Sequence, residues 1–185
     1  SPIHNVLLSG ETETGITLML MDEGVDTGDM IASERTDIGP DETRPELEVR
    51  LAAIGAELLP HTLAPFIEKK IIPKKQDSSE ATLCQLIDRE DGRIFWNEDS
   101  QDLYNRYRAL TPWPGVFTFW KRNGLVQRLK LISLSHIKQS PQIRHAAGEV
   151  FEIGESIGVQ TGTGILLLEE VQLEGKERVD IRTFV

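Results

Sequence analysis

The sequence predicts an α/β part followed by a small all-β part. Up to residue 70, the sequence contains apolar strand-like runs and one long segment whose apolar residues recur at helical spacing. From Val116 onward, short strand-like runs are separated by Asn-Gly or glycine-rich turns. In between, the chain is first lysine-rich and then polar without periodicity. We therefore expect one domain over residues 1–70, a linker over 71–91 and a second domain over 92–185.

The composition is that of a globular protein with an uneven charge. The chain has 185 residues, of which 39% are hydrophobic, and its net charge is −10. Residues 1–90 contain 18 acidic and 8 basic side chains, whereas residues 91–185 contain 12 of each. This balance excludes a protein that binds nucleic acid with its whole surface, but a local basic patch can still contact phosphates.

Cysteine usage and hydropathy predict the compartment. The single cysteine, Cys84, excludes an internal disulfide framework and a cysteine-rich zinc site. The sequence has neither an apolar run near the roughly 18 residues of a membrane span nor a charged leader followed by an apolar segment. We therefore expect a soluble, cytoplasmic protein without a membrane partner.

The α/β part is predicted to begin with a helix over the first ten residues, with Pro2 in its first turn and Gly10 at its end. Ile16–Met21 is apolar on both faces, which predicts a strand in the interior of a sheet, covered on both sides. Met30–Thr36 is predicted as a second strand that becomes polar as it leaves the core.

A long helix is predicted to follow the second strand. Thr43 and Glu46 match a capping box with an early proline, which is typical of a helix start. Leucine and isoleucine then recur at three- and four-residue steps and form one apolar stripe. Pro60 and Pro65 predict a kink or a break before Phe66, because proline lacks the N–H that a helix interior needs.

The second domain is predicted to open with a helix that is capped by Asp99 or Ser100 and ends before Pro112. Five strands then predict a small antiparallel barrel or sandwich, and residues 180–185 a short terminal helix. The predicted strands are Val116–Lys121, Leu125–Leu134, Glu149–Ile153, Ser156–Thr161 and Ile165–Leu173.

The sequence lacks the common signatures of nucleophilic, phosphate-binding and metal chemistry. It has no Gly-x-Ser-x-Gly elbow and no Walker-type loop, and Gly162-Thr163-Gly164 is predicted as a turn. A calcium loop beginning at Asp22 fails, because its third, sixth and twelfth positions are Gly, Thr and Ser. We predict no metal site. The histidines form no close pair and are interpreted as structural or solvated: His4, His61, His136 and His145.

An acidic loop, Met21–Met30, joins the two predicted strands and contains two glycines and four carboxylates. A carboxylate in such a loop is most often a solvated turn residue. The alternative is that Asp26, crowded by Asp22, Glu23 and Asp29, accepts a proton in a reaction. Strand ends of α/β sheets commonly bind ligands, and the glycines allow a close backbone approach. Composition leaves both alternatives open.

Several segments resemble a known family. Glu13–Thr17 and Met21–Asp29 are similar to the folate-loop segment of the formyltransferases, most closely of those that act on methionyl-tRNA. Further similar segments follow in the same order, so the resemblance covers nearly the whole chain. They are Gly55–Leu59, Glu90–Ile94 before Trp96, Asn105–Arg106, Arg108–Gly115 and Thr161–Gly164.

The resemblance implies a partial Rossmann-like catalytic domain followed by an OB-like barrel. It implies formyl transfer from 10-formyltetrahydrofolate to the amine of initiator methionyl-tRNA, with Asp26 as the catalytic aspartate. It also implies that part of the folate pocket is formed by Met21, Asp22, Glu23, Gly24, Val25 and Asp26.

The acceptor tRNA is expected to contact basic side chains near the linker. Lys74, Lys75 and Arg89 are the candidates, and ordinary solvated side chains are the alternative. The barrel is the part that the resemblance assigns to holding the tRNA.

The sequence departs from the family in three places. The family's catalytic asparagine and histidine lie upstream of Ser1, so we expect this chain alone to be inactive. We also expect the full-length form to be a monomer. Leu86 stands where the family usually has a lysine, and Pro60 lies within the long helix. Two other functions stay open: formylation of a sugar-nucleotide amine, and a non-catalytic RNA-binding module built on the barrel.

Overall fold

A computed structural model describes residues 1–137 and 145–185. The chain forms two compact units, one made of Ile3–Gly10 with Leu86–Val185 and the other of Glu11–Gln85. The predicted functional division into 1–70, 71–91 and 92–185 stays a prediction. Among the described residues, no helix is both long and apolar enough to cross a membrane.

The α/β unit contains a two-stranded antiparallel sheet with one long helix against it. Strand β1 spans Glu13–Met19 and pairs with β2, Met30–Asp37. Helix α2, Arg44–Ile67, contacts both strands. The prediction of β1 as an interior strand is wrong, because exposed and half-buried residues alternate along it. In the unit's described sheet a single helix covers one face, which leaves the other face open to water.

Helix α2 begins as the sequence predicts but does not break. Its capping residue is Thr43, and the carboxylate of Glu46 accepts hydrogen bonds from the backbone N–H and the hydroxyl of Thr43 at 2.8 and 2.6 Å. The helix continues through Pro60 and Pro65 to its end, so it does not break there, and the alternative, a kink, stays a prediction. Pro60 is exposed, and water can bond to the carbonyl that loses its partner there.

The other unit is built on one curled antiparallel sheet. Its strand order is β3-β4-β7-β6-β5, with β8 beside β7. All five predicted strands are confirmed within a few residues, and the short β8 is an addition. One continuous sheet forms instead of the two sheets of a sandwich. The strands are β3 Val116–Arg122, β4 Leu125–Ile137, β5 Val150–Ile153, β6 Ser156–Gln160, β7 Ile165–Leu173 and β8 Arg178–Asp180.

The described part of this unit contains three helices, whose ends lie within two residues of the predicted ones. They are α1 Pro2–Leu8, α3 Ser100–Leu110 and α4 Ile181–Phe184. The carboxylate of Asp99 accepts the N–H of Gln101 at the start of α3, and Asp180 caps α4 in the same way. Leu7 of α1 and Leu103 of α3 are fully buried. Apolar burial of this kind stabilises the unit by about 2 kcal/mol for each such side chain.

Candidate functional site

The acidic loop is closed at its base by the sheet. The N–H of Leu20 donates to the carbonyl of Asp29 at 2.9 Å, so the strand pairing extends one step beyond β1. Gly28 is buried in this closure, and a Cβ added there would lie 1.7 Å from the carbonyl oxygen of Leu20. Only glycine fits at this position, because that oxygen belongs to the backbone and is fixed by the strand.

Asp22 shapes the loop from within. Its carboxylate accepts the N–H of Gly24 at 3.0 Å and the hydroxyl of Thr27 at 2.7 Å. These bonds form a compact turn typical of aspartate followed by glycine. A Cβ on Gly24 would lie 2.0 Å from the Thr27 hydroxyl oxygen and would displace that bond. The carboxylate of Asp22 is therefore already hydrogen-bonded within the loop.

Asp26 has a constrained backbone and an available side chain. Its φ is +57°, in the left-handed region that aspartate tolerates better than most residues. The residue is exposed. Within the described ranges its carboxylate makes no hydrogen bond or ion pair, in contrast to Asp22. Among the described carboxylates of the loop, those of Glu23 and Asp29 also make no hydrogen bond or ion pair, and Asp26 differs from them in its left-handed backbone. A free carboxylate is the chemical requirement for a group that accepts a proton.

Gln76 fixes the backbone of Asp26 from outside the loop. Its side-chain amide donates to the carbonyl of Asp26 at 2.9 Å and to that of Gly28 at 2.7 Å. Gln76 is brought there by Lys74, whose N–H and carbonyl pair with those of Met30, both at 2.8 Å. The chain after α2 therefore adds a short extended segment to the edge of β2, and this segment holds the loop.

The sequence predicts Gln76 only as a residue of a polar linker. No local signal marks it, because its partners lie 50 and 48 residues earlier in the chain. The pairing of Met30 with Lys74 involves only backbone groups, so no side-chain pattern predicts it. Gln76 is the positioning residue that the sequence did not reveal.

The structure brings the predicted folate residues together at the tip of this loop. Met21 is 94% exposed and Val25 88% exposed, so two apolar side chains stand in water beside Asp26. The N–H groups of Val25 and Asp26 have no acceptor in the described part of the chain. Exposed apolar side chains next to free backbone donors suit a flat ring that carries hydrogen-bonding atoms at its edge. Glu23 and Gly24 are also exposed on this loop.

The predicted tRNA contacts are divided between the two units. Lys74 and Lys75 are exposed on the segment that carries Gln76. Arg89 is exposed in the other unit, where it precedes the 3-10 turn Glu90–Gly92. None of the three side chains forms an ion pair with a described residue.

The Thr161–Gly164 turn packs against the start of α3. The hydroxyl of Thr163 donates to the carboxylate of Asp99, and this hydrogen bond lowers the pKa of Asp99 more than any other contact. A Cβ on Gly164 would lie 2.2 Å from the hydroxyl oxygen of Ser100, so the turn requires glycine there. The predicted turn is confirmed, and its role is to join α3 to the sheet.

His136 and His145 make aromatic contacts in the same unit. His145 pairs with Glu149 at 2.9 Å and stacks on Phe151, and the hydrogen bond from His145 lowers the pKa of Glu149. His136 stacks on Tyr104 with ring centroids 5.5 Å apart. Over residues 1–137 and 145–185, no three His, Cys, Asp or Glu side chains come together as a metal site would need.

Both units match models of one enzyme class. The model described as "Formyl transferase" matches residues 1–63, and the one described as "Formyl transferase, C-terminal domain" matches residues 86–185. The two matches follow one another along the chain in the order that the resemblance implies. The chain belongs to the formyl transferase family.

Individual relatives refine this result. The methionyl-tRNA formyltransferase of Citrifermentans bemidjiense is 38% identical over 186 residues, covering 100% of this chain and 56% of the relative. That of Solibacter usitatus is 41% identical, covering 99% and 57%. The chain therefore spans little more than half the length of these curated relatives.

A solved structure of lower identity shows the same fold. It is the N-formyltransferase from Helicobacter canadensis, in complex with folinic acid and dTDP-3-aminofucose. Its TM-score is 0.69 at 19% identity, and the match covers 90% of this chain and 59% of that one. This likeness supports the fold and carries no information on the acceptor.

Proposed function

We propose that this chain is part of an enzyme that transfers a formyl group from 10-formyltetrahydrofolate to the amino group of initiator methionyl-tRNA. Family membership defines the reaction type, and relatives at 38% and 41% identity carry that name. The structural observation that carries the proposal is the free Asp26 carboxylate on a loop held by Gln76.

The proposed reaction makes one C–N bond and breaks another. The methionyl amine attacks the formyl carbon, the bond between that carbon and N10 of the folate breaks, and a proton moves from the amine to N10. Asp26 is proposed to position the amine and to accept its proton during the attack. A carboxylate without a protein partner can do this, whereas Asp22 is engaged with Gly24 and Thr27.

The folate is proposed to bind along the loop tip. The N–H groups of Val25 and Asp26 would donate to the ring edge, and the side chains of Met21 and Val25 would cover its face. Asp22, Glu23 and Gly24 would line the same pocket, with Asp22 acting through the loop shape that it fixes.

The parts of the chain are proposed to have different roles in the reaction. Residues 1–70 contribute to the catalytic domain of Rossmann-like type, 71–91 connect the domains, and 92–185 act as an OB-like domain that holds the tRNA. Lys74, Lys75 and Arg89 are proposed to contact tRNA phosphates. The exposed free thiol of Cys84 supports a reducing compartment, so we place the reaction in the cytoplasm.

The decisive experiment uses a fusion of this chain to the part of the Citrifermentans bemidjiense relative that it does not cover. Formylation of methionyl-tRNA by the fusion is expected, and Asp26→Asn is expected to reduce kcat at least 100-fold, because general-base catalysis contributes about that much. Asp29→Asn, on the same loop, is the matched control and should stay within about fivefold of wild type.

Two results would contradict the proposal. If Asp26→Asn retained full activity with an unchanged melting temperature, Asp26 would have no proton-transfer role. If the fusion formylated an amino-sugar nucleotide but not methionyl-tRNA, the acceptor would be a sugar-nucleotide amine, the alternative that the sequence leaves open. The same assay with both acceptors therefore tests both the residue and the substrate.

A further inference from the structure

Arg93 forms an unusual aromatic cluster in the C-terminal unit. Its guanidinium carbon lies 4.7 Å from the ring centre of Phe95 and 5.0 Å from that of Phe119. Both rings are large apolar groups left partly in water, 49% and 44% exposed. We call Arg93, Phe95 and Phe119 the arginine cluster. Stacking on aromatic faces restricts a guanidinium and thereby fixes the direction of its N–H groups.

The backbone around Arg93 is held in place by the sheet. Arg93 forms a parallel bridge with Phe117 of β3, and the N–H of Ile94 donates to the carbonyl of Phe117 at 3.0 Å. The carbonyl of Arg93 accepts from Arg106 at 3.1 Å. The position of the cluster is therefore as fixed as that of β3 itself.

The guanidinium of Arg93 makes no hydrogen bond or ion pair with any described residue, although it is exposed and carries five donors. Its neighbour Arg128 differs, because it lies over Phe117 at 4.0 Å and pairs with Glu90 at 3.1 Å. Glu90 is therefore paired with Arg128 and not with Arg93. A guanidinium that is held in place and has free N–H donors suits a phosphate, which can accept two parallel hydrogen bonds from one arginine.

Further cations lie on the same edge of the sheet. Arg128 is the register partner of Phe119 across the β3–β4 pair, and Lys130 is that of Phe117. Lys121 follows Phe119 by two positions, so it belongs to the same face of β3. Lys121 and Lys130 form no ion pair with a described residue. Basic side chains interleaved with aromatic rings are typical of RNA-binding sheet faces.

We infer that the arginine cluster is a phosphate contact for the tRNA acceptor, in which Arg93 donates to one backbone phosphate and the two rings hold its guanidinium in place. This inference rests on the proposed function for the identity of the RNA. It adds a contact that the lysine-based prediction of Lys74, Lys75 and Arg89 does not include.

The test measures binding of a fluorescently labelled initiator tRNA transcript to the whole chain at several KCl concentrations. Arg93→Ala is expected to weaken binding about tenfold at low salt and to reduce the slope of log K against log salt by about one, the value for one lost phosphate contact. Arg93→Lys should keep the slope, because the charge remains, but bind severalfold more weakly.

Phe119→Leu tests the holding role of the rings. It leaves the charge of Arg93 and removes one stacking partner, so it should keep the salt slope and weaken binding about threefold. Arg178→Ala, an exposed arginine of β8 outside the cluster, is the control and should bind within about twofold of wild type. Melting temperatures of all four variants separate a lost contact from a lost fold.

The inference is overturned if Arg93→Ala binds as Arg178→Ala does, if the binding loss only follows a loss of folded protein, or if the wild-type chain binds no tRNA at low salt. Failure of the transferase proposal looks different. In that case the fusion shows no formylation of methionyl-tRNA, while binding of the transcript still depends on Arg93.

Discussion

At the scale of single residues, Asp22 and Asp26 of the acidic loop differ in their contacts. Asp22 bonds to Gly24 and Thr27, whereas the Asp26 side chain has no described partner and its backbone is fixed by Gln76. Holding a left-handed aspartate costs about 1 kcal/mol, which the bonds from Gln76 can offset. The loop therefore keeps its reactive candidate free while its backbone is constrained.

Replacing Gln76 by Ala should loosen this arrangement. The variant loses two hydrogen bonds to backbone carbonyls, and because those carbonyls can bind water, we expect a loss of only about 1–2 kcal/mol in the free energy of unfolding. Amide hydrogen exchange of residues 22–29 should become faster, since the loop opens more often.

Gln85→Ala provides the control for this change. Gln85 is exposed and makes no hydrogen bond within the part of the chain that the structure describes, so its loss should leave loop exchange unchanged. Equal exchange rates in the two variants would show that Gln76 does not hold the loop.

What could be predicted at this scale depends on how local the signal is. The sequence marks Asp26 as a candidate because four carboxylates, two glycines and a family resemblance all fall in one ten-residue stretch. The sequence gives no such signal for Gln76 and Arg93, because their contacts are made only after folding. Gln76 reaches back 50 residues, and Arg93 meets Phe119 only when β3 lies beside it.

At the scale of elements, helix starts and turns were predicted well and burial was not. The capping box at Thr43 and the Asn123-Gly124 turn are each defined by residues that are close together in the sequence. Both are observed, and both residues of the turn have a positive φ. The environment of β1 depends on what covers it, which an apolar run cannot specify. The three-residue strand β8 is defined by its pairing with β7 and has no pattern of its own.

The capping box makes the stability of α2 depend on pH. Hydrogen bonds from the Thr43 hydroxyl and N–H lower the pKa of Glu46 below its ordinary value of 4.5. A carboxyl with a lowered pKa in the folded state stabilises above that ordinary value, and the contribution disappears as the pH falls through the folded-state pKa.

Glu46→Gln removes the titrating group and keeps the shape of the box. The wild type should be more stable than this variant at pH 7, and the difference should shrink toward zero as the pH falls below about 4.5. Urea unfolding between pH 3 and 7 measures it, with Glu57→Gln on the exposed face of α2 as the control. A difference that stays constant with pH would contradict this role of Glu46.

At the scale of the whole molecule, charge limits how the chain can bind RNA. A net charge of −10 repels a polyanion at long range, so attraction must come from a few local cations. The proposed phosphate contacts are Lys74, Lys75, Arg89 and Arg93. Four phosphate contacts give a slope of log K against log salt of at most about −4, far shallower than for proteins that make many contacts.

The combined substitution Lys74→Ala, Lys75→Ala and Arg89→Ala should therefore reduce the magnitude of that slope by about three, since each lost contact contributes about one. Binding of the tRNA transcript to the whole chain at several KCl concentrations measures it. The matched control replaces three other exposed basic residues, Lys176, Arg178 and Arg182, and should change the slope by less than one. If both triple variants lower the slope equally, attraction is spread over the surface and the three predicted residues form no specific contact. A wild-type slope much steeper than −4 would mean that other cations bind the RNA.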